Sequence, residues 1–185
     1  LKMSADRGDS YAVEKAGLLC YAAGDYAGAE KYLSSAVKND DPELLYMLGR
    51  ICYLGVGVKQ DYSRAFELLA RSADRGNIDS MVLIGKMYHR GEGFSQDYAR
   101  ALQWYKRAAE KGSSEAMYNV GSMYYNGDGV SPDYLEAIRW FKQSAEKGNI
   151  VAMQYVAIMY KEGIGVPKDN VEASLWRKKA AESKN

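Results

Sequence analysis

The chain has 185 residues, 47% apolar and 26% charged, and its 25 basic side chains stand against 24 acidic ones for a formal net charge of +1. That composition is of a folding chain long enough to bury a substantial core, and it excludes a disordered one. The balanced, interspersed charge excludes the footprint of a nucleic-acid binder, and the apolar runs are too short for direct membrane insertion by this segment.

The opening LKMSADRG has neither an initiator methionine nor the apolar core of a signal peptide. It matches the tail of a helix seen again later, so residues 1–8 are expected to close a preceding repeat, with the true start upstream. Localisation stays open between the cytoplasm and a bacterial periplasmic or secreted setting. The lack of an Asn-x-Ser/Thr sequon only weakens a glycosylated extracellular one.

From there the chain repeats itself. Gly-x-Gly occurs at Gly55/Gly57, Gly91/Gly93, Gly127/Gly129 and Gly163/Gly165, 36 residues apart, and an aspartate keeps the same interval at Asp25, Asp61, Asp97, Asp133 and Asp169. Alanine follows each aspartate by four residues (Ala29, Ala65, Ala101, Ala137, Ala173), and Tyr32, Leu68, Trp104, Trp140 and Trp176 follow by seven, a helical spacing. SADRG, AAEKG and SAEKG then end three of these helices with a left-handed glycine stop. A second helical segment lies between that stop and the next Gly-x-Gly, as in SSEAMYNVGSMYYNG. Each unit therefore reads as helix A, loop, helix B, and a 36-residue period of that kind belongs to repeat arrays.

Two positions carry local predictions. The aspartates sit where helix B needs an N-cap, and Glu136 and Glu172, three residues on, complete a capping box in the last two copies. Helix A holds an interior glycine at Gly17, Gly49, Gly85 and Gly121, with Ala157 in the fifth copy, despite a cost of about 1 kcal/mol each. The expected reason is a close approach of the two helices opposite the small alanine of helix B.

The segment AMYNVGSMYYNGDGVSPDYLEAIRWFKQSAEKG, with its counterparts, resembles the Sel1-like repeat family, relatives of tetratricopeptide repeats. The resemblance covers nearly the whole chain and implies an all-α, right-handed superhelical α/α solenoid of about five helix-loop-helix repeats. As a single array over 1–185, the units fall at 9–40, 41–76, 77–112, 113–148 and 149–185. The first lacks the Gly-x-Gly loop and is about four residues shorter, close to a plain tetratricopeptide unit. In the last, Ser174 and Arg177 replace apolar residues of earlier copies, which predicts a polar capping face.

Several chemistries lack a complete residue set on this scaffold. A phosphate loop lacks its strand and its Gly-Lys-Ser/Thr. A calcium loop finds oxygens at Asn126, Asp128, Ser131 and Asp133, but Val56, Glu92 and Ile164 replace Asp128 elsewhere and Ala137 stands where the bidentate glutamate belongs. His89, the single histidine, reads as a polar helix-surface residue, and Glu43, Asp79 and Glu115 do not compose an acid/base site. Cys20 and Cys52 share one register, too far apart for a bridge, so two buried free thiols are expected, unlike the disulfide-bonded members of the family. Trp104, Trp140, Trp176 and the tyrosines after each N-cap read as packing. Neither a metal nor a cofactor is expected.

What remains is a binding surface. Related solenoids bind along the concavity lined by helix A, and carrying the groove register over selects residues six and three before, and one, four and five after, the helix A glycine. These are Tyr11, Glu14, Leu18 and Tyr21; Glu43, Tyr46, Arg50 and Tyr53; Asp79, Val82, Lys86, His89 and Arg90; Glu115, Tyr118, Ser122, Tyr125 and Asn126; and Val151, Gln154, Ile158 and Lys161. Six are tyrosines, read as separate from scaffold packing, and Arg50, Lys86, His89 and Arg90 give a basic centre suited to a protein or peptide partner with acidic groups. The leading function is a non-enzymatic interaction scaffold. The alternatives are a regulatory or targeting module of a larger enzyme and a toxin-neutralising immunity protein.

Overall fold

The computed structural model describes residues 10–37 and 40–183, so the expected tail at 1–8 lies outside the described residues. Helices account for the regular structure there: α1 (Ser10–Ala22), α2 (Tyr26–Ala36), α3 (Pro42–Leu54), α4 (Tyr62–Asp74), α5 (Ile78–Arg90), α6 (Tyr98–Glu110), α7 (Ser114–Asn126), α8 (Tyr134–Glu146), α9 (Ile150–Glu162) and α10 (Asn170–Glu182). Consecutive helices pair as A/B hairpins, as the periodicity predicts. Helices of this length are marginal alone, so their stability comes from packing. None of the described helices is long and apolar enough to cross a membrane.

The described helices group into two compact units. Unit 1 runs to Ile84 and includes Glu92–Phe94; unit 2 holds Gly85–Gly91 and the chain from Ser95. The division falls inside α5. In unit 1 the buried residues include Leu33, Leu45, Leu48, Ile51 and Leu69; in unit 2 they centre on Phe141, Val120, Met123, Val156 and Met159.

All five aspartates cap helix B. Asp61, Asp97 and Asp133 each accept the amide three residues on at 2.9 Å, as Asp25 does from Gly28, and Asp169 accepts from Val171 and Glu172. The expected capping box does not form. The amides of Asp133 and Asp169 donate instead to the carbonyls of Tyr124 and Tyr160 on helix A, and the same 2.9 Å bond joins Asp25 to Cys20, Asp61 to Cys52 and Asp97 to Tyr88. Glu136 and Glu172 accept the indole Nε1 of Trp140 and Trp176, one turn on. The backbone tie closes every hairpin at one register, which frees these glutamates to position the tryptophans.

The helix A glycines make room for a large side chain rather than for the alanine alone. A Cβ on Gly121 would stand 2.8 Å from Phe141 Cδ1 and 3.2 Å from the Ala137 carbonyl; on Gly49 it would stand 2.9 Å from Leu69 Cγ. Leu33 and Tyr105 crowd Gly17 and Gly85 in the same way. In the fifth hairpin the corresponding helix B residue is the exposed Arg177, and there helix A carries Ala157. The missing methyl and the bulky partner come and go together.

The corner glycines also have a second duty. Gly129 has φ +71°, and a Cβ there would meet Tyr98 Cβ at 2.4 Å; Gly57, Gly93 and Gly165 likewise lie against Tyr26, Tyr62 and Tyr134. Each loop thus packs on the start of helix B in the hairpin before it. The tyrosines after the N-caps are packing residues, as read from the sequence, and Trp176 is buried while Trp104 and Trp140 are half-buried. Cys20 and Cys52 are buried free thiols, and burial raises the pKa of Cys52. α10 exposes Ser174 and Arg177 as expected, but Val171 and Leu175 on the same face are exposed too, so that face is mixed rather than polar.

Candidate functional site

The projected groove residues lie on the helix A faces, and each unit presents its own set. In unit 1, Arg50 of α3 donates to the Tyr21 hydroxyl of α1 at 2.7 Å, and that bond raises the arginine's pKa further. Tyr46, one turn before Arg50, is half-buried; burial, with the Asp79 carboxylate adding to it, pushes its pKa up to about 12. Tyr53 donates to Glu92 Oε2 at 2.7 Å, and Asn77 donates to Glu43 at 3.1 Å. Tyr11 is exposed, with the Lys15 ammonium 5.5 Å from its ring centre.

In unit 2, Lys86 pairs with Glu115 at 2.6 Å, and His89 Nε2 lies 3.1 Å from Asp128 Oδ2. Asn126 also reaches Asp128, at 3.4 Å, and Ser122, at 3.5 Å. Arg90 is exposed, whereas Val82, on the part of α5 that belongs to unit 1, is buried at 4% exposure and drops out of the projected set. The tyrosines of α7 and α9 form a stack: Phe141 and Tyr155 lie face to face at 4.8 Å, and Tyr118 and Tyr125 each stand 5.8 Å from Tyr155. Burial, then Tyr155, raises the pKa of Tyr118.

Three expectations change with this geometry. The groove tyrosines are not separate from the scaffold, because Tyr21, Tyr53 and Tyr125 meet Tyr26, Tyr62 and Tyr134 edge-on at 5.4 to 5.7 Å. His89 takes that place in the third hairpin, 5.1 Å from Tyr98, so it is a packed and partnered residue rather than a plain surface one. The basic centre is largely matched from within: Arg50 is bound by Tyr21, Lys86 by Glu115 and His89 by Asp128.

A rule joins neighbouring hairpins. The residue four after the helix A glycine reaches the middle residue of the next Gly-x-Gly loop when that residue is acidic: Tyr53 meets Glu92, and His89 meets Asp128. Asp128, the strongest oxygen of the conceivable calcium loop, is therefore committed to His89 and Asn126. Among the described residues no cluster of three or more His, Cys, Asp or Glu is placed to hold a metal.

The register passes over one residue of this face. Asn119 of α7 lines a cleft of about 240 Å³ with Lys86, His89 and Arg90 of α5, and its Nδ2 is buried with no acceptor. The corresponding residues of the other hairpins are Lys15, Met47, Leu83 and Tyr155, so a buried amide at this position is an exception visible once the copies are aligned.

A Sel1 repeat profile matches residues 42–77, 78–113, 114–149 and 150–185, which leaves α1 and α2 outside the matched windows. Among solved structures, the chain is similar to a protective antigen of uropathogenic Escherichia coli with an SLR fold, at TM-score 0.88 and 29% identity over 100% of this chain. It spans 40% of that antigen's length. A Sel1 repeat protein from Oxalobacter formigenes matches at TM-score 0.85 and 29% identity over 96% of this chain and 74% of its own. MamA shares the fold at TM-score 0.62 and 22% identity, over 95% of this chain and 91% of its own.

Proposed function

The chain belongs to the Sel1 repeat family, whose repeats generally mediate protein–protein interaction, and from that premise we propose that it is a non-enzymatic scaffold that docks a peptide segment of a partner protein on the helix A face of unit 2. The observation that carries this reading is the aromatic stack of Tyr118, Tyr125 and Tyr155, half-buried and fixed against Phe141. Rings held in place lose little entropy on binding, and each offers an apolar plane beside a hydroxyl. Lys86 and Arg90 at the edge of the same face favour a peptide with acidic groups.

Peptides selected from a random display library against the folded chain test this reading. Binders are expected to weaken at least about tenfold on Tyr155→Ala or Tyr125→Ala, as for a central aromatic anchor, and to be indifferent to Arg139→Ala on the exposed side of α8. Helical circular dichroism separates lost binding from lost folding. Binders that ignore both tyrosines and respond to substitutions in the helix B face or the Gly-x-Gly loops would refute it.

A further inference from the structure

A second surface of unit 2, apart from the helix A face, runs along α10. Asn170, Ser174, Arg177 and Ala181 follow one another at helical spacing down one side of that helix, and all four are exposed. In the hairpin before, the same side of α8 is the seat of α9: Ile138, Phe141 and Ala145 are buried in one apolar cluster with Met153, Val156 and Met159 of α9, and Phe141 stacks on Tyr155 at 4.8 Å. Ser174, Arg177 and Ala181 hold the registers of Ile138, Phe141 and Ala145. The alanine of the seat is therefore kept, Ser174 leaves room for a close approach, and the ring that meets the next helix becomes a cation. Arg177 has no hydrogen bond or ion pair among the described residues, and the stripe carries no acid. Lys178 beside it reaches Glu182 at 3.8 Å, but their side chains are 75% and 64% exposed, so that pair holds the lysine weakly. We infer that this side of α10 docks an amphipathic helix of a partner protein, laid as α9 lies on α8, with a carboxylate facing Arg177.

Charge decides the chemistry of the occupant. Contact with water alone is served by either sign, whereas a stripe with a cation at its centre and no acid is complementary to an acidic helix. Arginine suits that place, because its planar guanidinium is weakly hydrated and meets a carboxylate through two parallel bonds. A second copy of this chain is the wrong occupant. Its first helix A, α1, has Lys15 at the register of Tyr155, so stacking α1 of one copy on α10 of another would set Lys15 against Arg177. Like charges at the centre of the contact oppose that pairing. The partner helix therefore differs from α1 in carrying an acid where α1 has Lys15.

The helix that fits the preceding seat supplies the probe: a peptide of residues 149–164, held helical by a staple on the side that α9 exposes, carrying Tyr155→Glu, Tyr155→Gln or Tyr155→Lys. Titrated into the full chain, the Tyr155→Glu peptide is expected to shift the backbone amides of residues 170–181 saturably. It should bind about fivefold or more tighter than the Tyr155→Lys peptide, with Tyr155→Gln between them. Arg177→Glu in the chain should reverse that order, which a peptide that merely adheres to apolar surface does not do. Arg177 is exposed, so the helical melting curve of this variant should match that of the wild type. No saturable shift with the Tyr155→Glu peptide, or an order of affinities unmoved by Arg177→Glu, would overturn the inference. Shifts confined to α7 and α9 would overturn it too, by placing the peptide on the helix A face, as would sedimentation showing that wild-type chains self-associate and lose that association on Arg177→Glu.

Discussion

Gly121→Ala tests how the hairpins are packed. The new Cβ would stand 2.8 Å and 2.9 Å from two ring carbons of Phe141 and 3.2 Å from the Ala137 carbonyl. The ring cannot retreat easily, because its other face is stacked on Tyr155. Overpacking of this kind costs about 1–3 kcal/mol, and a pinned ring belongs in the upper half of that range. Alanine returns about 1 kcal/mol in helix propensity, so the net loss is about 1–2 kcal/mol. That corresponds to a fall in Tm of about 2–8 °C. The sign should reverse in a Phe141→Ala background, where the ring is gone and the added methyl fills part of the space left. Urea denaturation of the four proteins in the cycle measures both effects. A stabilising Gly121→Ala in the wild-type chain, or the same sign in both backgrounds, would refute the packing explanation.

Asp133→Ala removes the carboxylate that accepts the Glu136 amide and should cost about 1 kcal/mol in urea denaturation, with Asp133→Asn close to neutral. Tyr46 has a pKa of about 12 in the folded chain and near 10 unfolded, so its contribution is complete below pH 10 and is lost as pH rises through 12. Between pH 9 and 11.5 the wild type should therefore lose about 1–2 kcal/mol more than Tyr46→Phe in urea denaturation, and parallel losses would dismiss the effect. A double-mutant cycle of Tyr53→Phe with Glu92→Gln should return about 1 kcal/mol of coupling, and additive losses would mean that the hydrogen bond contributes nothing.

The repeat made backbone demands legible, because a demand that recurs leaves a recurring residue. The N-cap aspartates, the left-handed glycines and the hairpin order were all readable at 36-residue spacing, and Gly121 was readable as a site of close approach. The partner across that approach was not, since Leu33, Leu69, Tyr105 and Phe141 vary in chemistry while sharing one role. The capping box failed for a related reason: the sequence shows that Glu136 is well spaced for Asp133, but not that the Asp133 amide is already taken by the Tyr124 carbonyl. On the candidate site, the register found the right helix faces and misjudged their freedom. Tyr53 and Glu92 are 39 positions apart, and nothing local announces such a bond. Asn119 lay one residue past Tyr118 of the borrowed pattern, and its signal was an amide at a register otherwise occupied by Lys15, Met47, Leu83 and Tyr155.

Because the second glycine of each loop rests on the preceding hairpin's first helix B tyrosine, the period written in the sequence is not the piece that can be exchanged. A segment excised between 112 and 113 keeps its own helices but leaves the Tyr98 seat without Gly129, and His89 without Asp128. Transplanting a hairpin therefore requires a segment longer than one period, which carries the next loop as well, so that His89 keeps Asp128 and Tyr98 keeps Gly129. The order of neighbours is recorded in these couples, and a reshuffled chain would pair side chains that were never chosen for one another.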